Sequence, residues 1–343
     1  MGFIGNKPSA VPLTGSDITD GTITAADILD GTITVAKMSA TGTASASTFL
    51  RGDNTWGNPI TYMSATGGTT ITTDGNFKVH TFNSSGTFTP TVGTADNSDQ
   101  VDYLVIAGGA SGGGCSGGSI SGGGGAGGYR NSYNSETSGG GGASETALTV
   151  TSTGYTVTVG AGGSGGSATN SVGISGSNSV FSTITSTGGG GGGASGVNAL
   201  AGGSGGGAGF LSSSIGAGTA NQGYAGGSGV NVGPAYGAGG GGGAGAVGVD
   251  GISTKGGNGG AGVSSSITSS AVTRAGGGGS GAENTAVGTG GAGGGGAGAN
   301  NGAATAGTVN TGSGGGASGG PSGTYAGANG GSGVVIIRYQ FQA

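Results

Sequence analysis

The sequence predicts a mainly β and irregular protein: a short β-repeat stalk, a small β-sandwich framework, and glycine-rich insertions packed as polyglycine-II helices. Three observations predict this class. Glycine accounts for 98 of 343 residues, and most of these glycines follow residue 107. Strand-like segments recur up to the C-terminal run Val-Val-Ile-Ile-Arg-Tyr-Gln-Phe at residues 334–341. No segment has the 3.6-residue apolar period of a helix.

A ten-residue repeat predicts the stalk. Residues 17–24 and 27–34 both contain Asp-Gly-Thr-Ile-Thr, which combines a tight-turn pair with β-branched residues. Such short units bury their isoleucines against neighbouring repeats or other chains. The sequence therefore predicts self-association, as a homotrimer, through Ile18, Ile23, Ile28 and Ile33. A short hairpin lying on the core of the same chain is the alternative.

The framework strands are expected at β-rich, alternating or buried-type segments. We expect Ala147–Ser152 and Tyr155–Val159 to form a hairpin, because Thr153-Gly154 between them is a turn signal. The other expected strands are residues 76–82, 87–92, 101–107, 179–185 and 334–341. If the last strand joins the same sheet, residues of about 108–143, 160–178 and 186–333 are insertions into one β domain.

The glycine-rich insertions have three possible structures. Disordered chains are usually charged and poor in apolar residues, whereas these segments have few charges and scattered Ala, Val, Ile, Phe and Tyr. Collagen needs glycine at every third residue and abundant proline, and the chain has six prolines. A bundle of polyglycine-II helices could pair backbone groups between helices and is the favoured interpretation. Disorder and stacked β-rolls remain the alternatives.

Side chains between the glycine runs are the candidate binding residues. Rigid scaffolds concentrate binding residues on loops, and Tyr, Asn, Ser and Gly are typical of adaptable binding loops. Alternatively, each aromatic ring has a structural role and packs over one end of the bundle. The candidate residues are Tyr133, Phe210, Tyr224, Asn231, Tyr236, Arg274 and Tyr325.

Composition excludes several functional classes. Only 6% of residues are charged, the net charge is −5, and the chain has one His and one Cys. No basic surface for nucleic acid is expected, and no apolar run is long enough for membrane insertion. The sequence contains no recognisable catalytic constellation, cofactor motif or metal-ligand set. We therefore expect a non-catalytic protein without a cofactor.

Several stretches together resemble bacteriophage tail fibres or receptor-binding adhesins with a glycine-rich tip. These are Gly-Phe-Ile-Gly-Asn-Lys-Pro-Ser at residues 2–9, the Asp-Gly-Thr-Ile-Thr repeats, Thr-Phe-Leu-Arg-Gly-Asp-Asn-Thr-Trp at 48–56, Asp-Tyr-Leu-Val-Ile-Ala-Gly-Gly at 102–109, and Gly-Val-Val-Ile-Ile-Arg-Tyr at 333–339. The resemblance implies a virion tail-fibre protein that binds a protein or glycan on the bacterial outer surface through loops at the bundle end. It also implies contact with virion tail or baseplate proteins.

The resulting domain prediction has four parts: a virion-attachment segment at 1–16, a β-repeat stalk and connector at 17–58, the first framework strands at 59–107, and a glycine-rich tip domain at 108–343 closed by strand 334–341. A glycine-rich structural filament or matrix protein is the alternative function.

Overall fold

The computed structural model describes residues 45, 48–50, 55–212, 214–230 and 236–343. The chain divides into two compact units, residues 1–60 and 61–343. The repeats at 17–34, including the four isoleucines predicted to mediate oligomerisation, lie outside the described residues, as does Asn231. In the first unit, Phe49–Leu50 pairs with Trp56–Gly57 in an antiparallel ladder.

The described secondary structure is almost entirely β. Two short 3-10 turns, Tyr133–Ser135 and Gly139–Gly141, accompany the strands. The strands are β1 Phe49–Leu50, β2 Trp56–Gly57, β3 Ser64–Thr66, β4 Thr70–Asp74, β5 Phe77–Phe82, β6 Gly86–Thr91, β7 Gln100–Ile106, β8 Cys115–Ser116, β9 Ser119–Ile120, β10 Tyr129–Asn131, β11 Leu148–Thr149, β12 Tyr155–Thr158, β13 Ser179–Phe181, β14 Ile184–Ser186, β15 Tyr236–Gly237, β16 Val263–Ser265, β17 Val272–Arg274, β18 Ala282–Glu283, β19 Ala299–Asn300, β20 Ser318–Gly320, β21 Thr324–Tyr325 and β22 Val334–Gln340.

Two antiparallel sheets form a small β-sandwich. The first has the order β10-β7-β22-β5-β4, with β11 also pairing with β7, and the second has the order β14-β13-β12-β6-β3. The C-terminal strand β22 pairs with both β5 and β7 and is therefore central in the first sheet. The prediction that the glycine-rich segments are insertions into one β framework is confirmed.

Both faces of the central strands are buried, which explains their continuous apolar sequence. On the inner face, Tyr103 and Val105 pack with Phe88 and Phe181 of the second sheet. The rings of Phe88 and Phe181 meet edge to face, with centroids 6.0 Å apart. On the outer face, a second apolar cluster lies where the glycine-rich segments cover the sheet, and it includes Leu104, Ile106, Ile336, Tyr129 and Ile267.

Two strand predictions are wrong. Residues 147–152 and 155–159 do not form a hairpin, because β11 pairs with β7 of the first sheet and β12 pairs with β6 and β13 of the second. The Thr153-Gly154 connection therefore links the two sheets. The segment 179–185 is two strands rather than one. Ser182 adopts a φ of 53°, which turns the chain between β13 and β14.

The glycine-rich segments pack as polyglycine-II helices, as predicted. Residues 121–128, which we call the central helix, show this most clearly. The N–H groups of residues 121, 124 and 127 donate to one neighbour, those of 122, 125 and 128 to a second, and those of 123 and 126 to a third. A repeat of three residues per turn is the geometry of this helix type.

Six neighbours surround the central helix and satisfy its backbone. Each carbonyl from residue 121 to residue 126 accepts a hydrogen bond from one of three other segments. This pairing answers the requirement that buried backbone groups find partners. The six neighbours are segments 108–114, 187–193, 204–208, 238–244, 275–281 and 312–318.

Close approach of backbones is the reason for glycine in the central helix. A Cβ added at Gly123 would lie 2.0 Å from the Gly278 carbonyl oxygen, and one added at Gly125 would lie 2.2 Å from the Ser204 carbonyl oxygen. Neither neighbour can yield easily, because both contacts are to backbone. The array therefore admits only small side chains to its interior, such as those of Ser121 and Ala126 in the central helix, and leaves larger ones to the connections at its ends.

Candidate functional site: the distal surface of the glycine array

The direction of each helix defines two ends of the array. Segment 108–114 leaves β7, and residues 108, 111 and 114 pair in antiparallel order with 177, 174 and 171, just before the chain enters β13. Segment 326–333 likewise returns to β22, with Gly330 donating to Gly163 and Gly333 donating to Gly160. The chain thus runs outward and back repeatedly. We call the end next to the sheets the sandwich end and the opposite end the distal end.

The distal surface consists of the connections at the far end of these helices. In the described residues it comprises 115–120, 167–171, 194–198, 209–212, 236–237, 251–255, 282–287, 300–304 and 320–325.

Hydrogen bonds join these connections to one another. The Asn170 side chain donates to the Ser195 carbonyl at 2.7 Å and accepts from the Ser195 N–H at 2.9 Å. Gly196 N–H donates to the Phe210 carbonyl at 2.7 Å, and Phe210 N–H donates to the Ile120 carbonyl at 3.0 Å. The connections therefore form one continuous surface whose backbone is held in place.

An aromatic pair lies on this surface. The rings of Phe210 and Tyr236 have centroids 4.4 Å apart and planes tilted by 49°. β15, which begins with Tyr236, pairs with β18, where Tyr236 lies opposite Glu283. The structure thus brings together two of the residues singled out from the sequence, although they are 26 positions apart.

Exposed aliphatic side chains surround the pair on neighbouring connections. Leu211 is 56% exposed, Ile252 is 54% exposed and Val197 is 38% exposed. The sequence of the distal connections contains only two charged residues, Lys255 and Glu283. Contacts made by this surface would therefore depend on apolar area and neutral hydrogen-bonding groups rather than on ion pairs.

The remaining candidate residues are divided between the two ends. Tyr325 lies at the distal end, where β21 pairs with β8 opposite Cys115. Burial raises the pKa of the Cys115 thiol, so the thiol stays protonated beneath the surface. Tyr133, Tyr224 and Arg274 lie at the sandwich end. Tyr133 packs against the outer face of the first sheet, and Tyr224 lies beside Gly141.

Arg274 is enclosed near Tyr129, and this burial lowers the pKa of its guanidinium. Its Nη1 atom is buried and has no hydrogen-bond partner among the described residues. Because Arg274 lies at the sandwich end, it is not part of the distal surface. The receptor-binding role of all these residues stays a prediction.

Four distal connections were missed by sequence reasoning: 115–120, 167–171, 194–198 and 282–287. Their small residues resemble the glycine runs around them. One signal could have identified them. Each interrupts a glycine run with a few Ser, Thr, Asn or Ala residues, which indicates a connection but not the end at which it lies, because some glycine runs also turn back internally, as at Gly293 and Gly294.

A polar cavity of about 470 Å³ lies at the sandwich end, lined by Arg130, Ala143, Glu145, Ala220, Asn221 and Gln222. Its charged groups pair with each other: Arg130 Nε and Nη2 each donate to a Glu145 carboxylate oxygen at 2.7 Å. The Tyr103 hydroxyl also donates to Glu145 at 2.7 Å. This network attaches the connection that contains Glu145 to β7 and β10 of the first sheet.

The sequence profile of a glycine-rich domain family matches residues 81–340, which is more than half of the chain. The chain belongs to the glycine-rich domain family. The matched region of this glycine-rich domain begins within β5 and ends within β22, so it includes both the framework strands and the array. The chain matches no curated protein sequence.

Two further observations concern the described part of this glycine-rich domain. It contains no helix of the length and apolarity that crossing a membrane requires. Among the same residues, no three His, Cys, Asp or Glu side chains cluster closely enough to hold a metal ion.

Proposed function

We propose that this glycine-rich domain is the receptor-binding part of a bacteriophage tail fibre or tip adhesin. The distal surface binds a receptor on the bacterial host without catalysis. The observation that carries the proposal is the segregation of side chains by size: the array interior admits only small ones, and the distal connections present aromatic and aliphatic groups on a fixed backbone.

Rigid support favours binding because ordering a loop on association costs free energy. An immobilised side chain costs roughly 0.5–1.5 kcal/mol, and distal connections already held by backbone hydrogen bonds avoid part of that cost. Phe210, Leu211 and Tyr236 supply the apolar contact area, while Asn170 and the neighbouring hydroxyl groups supply the polar rim. The small number of charges predicts binding that depends weakly on salt.

The proposal is tested with the purified full chain, fluorescently labelled, on a panel of bacterial strains. We expect saturable binding to some strains and none to others. Protease treatment of the cells, or genetic removal of surface glycan, then distinguishes a protein receptor from a glycan receptor. Equal binding to every strain would contradict the proposal.

Matched variants locate the binding surface. Phe210→Ala and Leu211→Asn remove distal apolar groups, and Asn suits the positive φ of 56° at position 211. Val309→Ser removes a 67% exposed side chain at the sandwich end and serves as the control. Both distal variants should weaken binding. Leu211→Asn should leave the thermal midpoint unchanged, and Phe210→Ala should lower it slightly, because it removes the ring contact with Tyr236. Binding that weakens only in Val309→Ser would place recognition at the other end.

Assembly through the stalk is part of the same proposal. A homotrimer would present three distal surfaces and multiply weak contacts by avidity. Light scattering of the full chain at increasing concentration tests it. A fixed mass of three chains supports a closed fibre. Open-ended growth would favour the alternative of a structural filament.

A further inference from the structure

The sequence contains three Asn-Gly pairs, at 258–259, 301–302 and 329–330. Asn-Gly pairs lose ammonia when the glycine nitrogen gives up its proton and attacks the Asn side-chain carbonyl carbon. The reaction is fastest where that nitrogen is free and the backbone can bend towards the side chain. Two of the three pairs differ from the third in how the glycine nitrogen is hydrogen-bonded and in how firmly the Asn side chain is held.

The array holds two of the pairs in place. Gly259 N–H donates to the Thr289 carbonyl at 2.9 Å, and Gly330 N–H donates to the Gly163 carbonyl at 2.9 Å. Each attacking nitrogen is therefore occupied by a backbone partner inside packed helices.

The side chains of the same two pairs are also held. Asn258 Oδ1 accepts from Thr289 N–H at 3.0 Å, and Asn329 Oδ1 accepts from Gly165 N–H at 2.5 Å. Rotation of either carboxamide towards the following nitrogen would break these hydrogen bonds.

The Asn301–Gly302 pair lacks the first restraint and has only a weak form of the second. It lies in the distal connection 300–304, Asn301 is exposed, and Gly302 N–H donates to no acceptor among the described residues. The Asn301 Oδ1 atom meets Ser322 N–H at 3.4 Å, the long limit of a hydrogen bond. A Cβ added at Gly302 would meet no atom closer than the Asn300 carbonyl oxygen, 3.9 Å away, so the site is open.

We propose that Asn301 is a site of spontaneous deamidation on the distal surface of the folded protein. The deprotonated Gly302 nitrogen forms a bond to Asn301 Cγ, the Cγ–Nδ2 bond breaks, and ammonia leaves with the proton. The resulting succinimide adds one water molecule. Opening at one carbonyl gives aspartate, and opening at the other gives isoaspartate, which inserts an extra backbone carbon.

The modification changes the chemistry of the distal surface. It adds a carboxylate to connections whose sequence carries only Lys255 and Glu283 as charged residues. The reaction itself depends on the local structure and does not rest on the proposed receptor-binding function.

The test is peptide-mapping mass spectrometry of the full chain after incubation in mildly alkaline buffer. Deamidation should accumulate several-fold faster at Asn301 than at Asn258 or Asn329, and isoaspartate should be found at position 301. In urea the three pairs should react at similar rates, because the array no longer protects two of them. Comparable native rates at all three pairs would overturn the proposal.

Gly302→Ala is the matched control, because the open site accommodates a methyl group and the added Cβ hinders ring closure. This variant should keep the thermal midpoint and lose most of the reaction at Asn301. Asn300, which is followed by Asn rather than Gly, should stay unmodified over the same period. Unchanged deamidation in Gly302→Ala, or equal deamidation at Asn300, would also overturn it.

Discussion

The guanidinium of Arg338 stacks over the ring of Phe77, with 4.4 Å between the guanidinium carbon and the ring centroid. Arg338 is 6% exposed, and its Nη1 also forms an ion pair with Asp74 at 2.7 Å. Tyr133 covers the cation at 5.2 Å, and Nη1 donates to the Ile267 carbonyl at 3.4 Å. One side chain of β22 thus joins the first sheet to the connections of the array.

Replacing Arg338 with Ala should lower the free energy of unfolding by about 2–4 kcal/mol, because the change removes a buried charge-pair partner and a stacked group. Arg338→Lys should recover only part of the loss, since an ammonium lacks the planar face that stacks on Phe77. Urea unfolding measures the loss of stability in both variants. Asp74→Asn isolates the ion pair: it keeps the stacking on Phe77 but leaves a guanidinium that is 6% exposed without its carboxylate, so it should also lower the free energy of unfolding. Full recovery by Lys would show that stacking contributes nothing.

A methyl group in the central helix should strongly destabilise the array. Gly123→Ala places a Cβ 2.0 Å from the Gly278 carbonyl oxygen, so two packed backbones must separate. Overpacking of this kind costs about 1–3 kcal/mol and sometimes more. Gly117→Ala is the matched control, because a Cβ there meets no atom within 4 Å. Thermal unfolding compares the two, and equal midpoints would contradict the close packing of the helices.

Amide hydrogen exchange should separate the array from its connections. The N–H groups of 121–128 donate to neighbouring backbones and are buried, so they should exchange only through large opening events. Gly75, at the exposed turn between β4 and β5, should exchange quickly. Mass spectrometry of deuterated peptides resolves these regions. Rapid exchange throughout 121–128 would mean that the array is not formed in solution.

The only histidine should make stability depend on pH. His80 is fully buried, its Nδ1 donates to the Gly67 carbonyl at 2.6 Å, and its Nε2 lies 3.3 Å from the Tyr339 hydroxyl. Burial lowers the pKa of His80 in the folded protein. The unfolded chain therefore binds a proton at a higher pH than the folded chain does. The His80 contribution to stability is complete above about pH 6.5 and falls as the pH drops below that value.

Urea unfolding between about pH 7 and pH 5 measures this slope. His80→Gln should flatten it, whatever its effect on stability at neutral pH. Because the chain has one histidine, NMR of the native protein reports the ring without overlap. A native ring that titrates near the usual pKa of about 6.5 would exclude the burial effect.

Much of the framework follows from local sequence. The runs in β7 and β22 are apolar on both faces because one face meets the second sheet and the other meets the array. The glycine-rich segments follow from the absence of charge and proline together with scattered apolar residues. β4 was missed because four of its five residues, 70–73, are exposed, so its sequence carries no alternating apolar pattern.

The connections between distant segments could not be predicted from sequence. The Phe210–Tyr236 contact depends on how many times the chain crosses the array. The number of crossings cannot be read from the sequence, because connections made of small residues, such as 194–198, resemble the glycine runs on either side. The wrong hairpin prediction at 147–159 has a similar cause. A turn signal fixes a change of direction, but the neighbouring strands decide whether the chain turns back or crosses to the other sheet.

The three-residue repeat of the array has a consequence for variation among related proteins. The crossings are positioned mainly by hydrogen bonds between main-chain groups, which are the same whatever the sequence of the connection that follows. A connection can therefore be exchanged or lengthened without altering how the crossings pack, and a crossing pair can grow by whole turns of three residues and about 9 Å. Such a scaffold lets new recognition chemistry arise one segment at a time while the rest of the molecule keeps its fold.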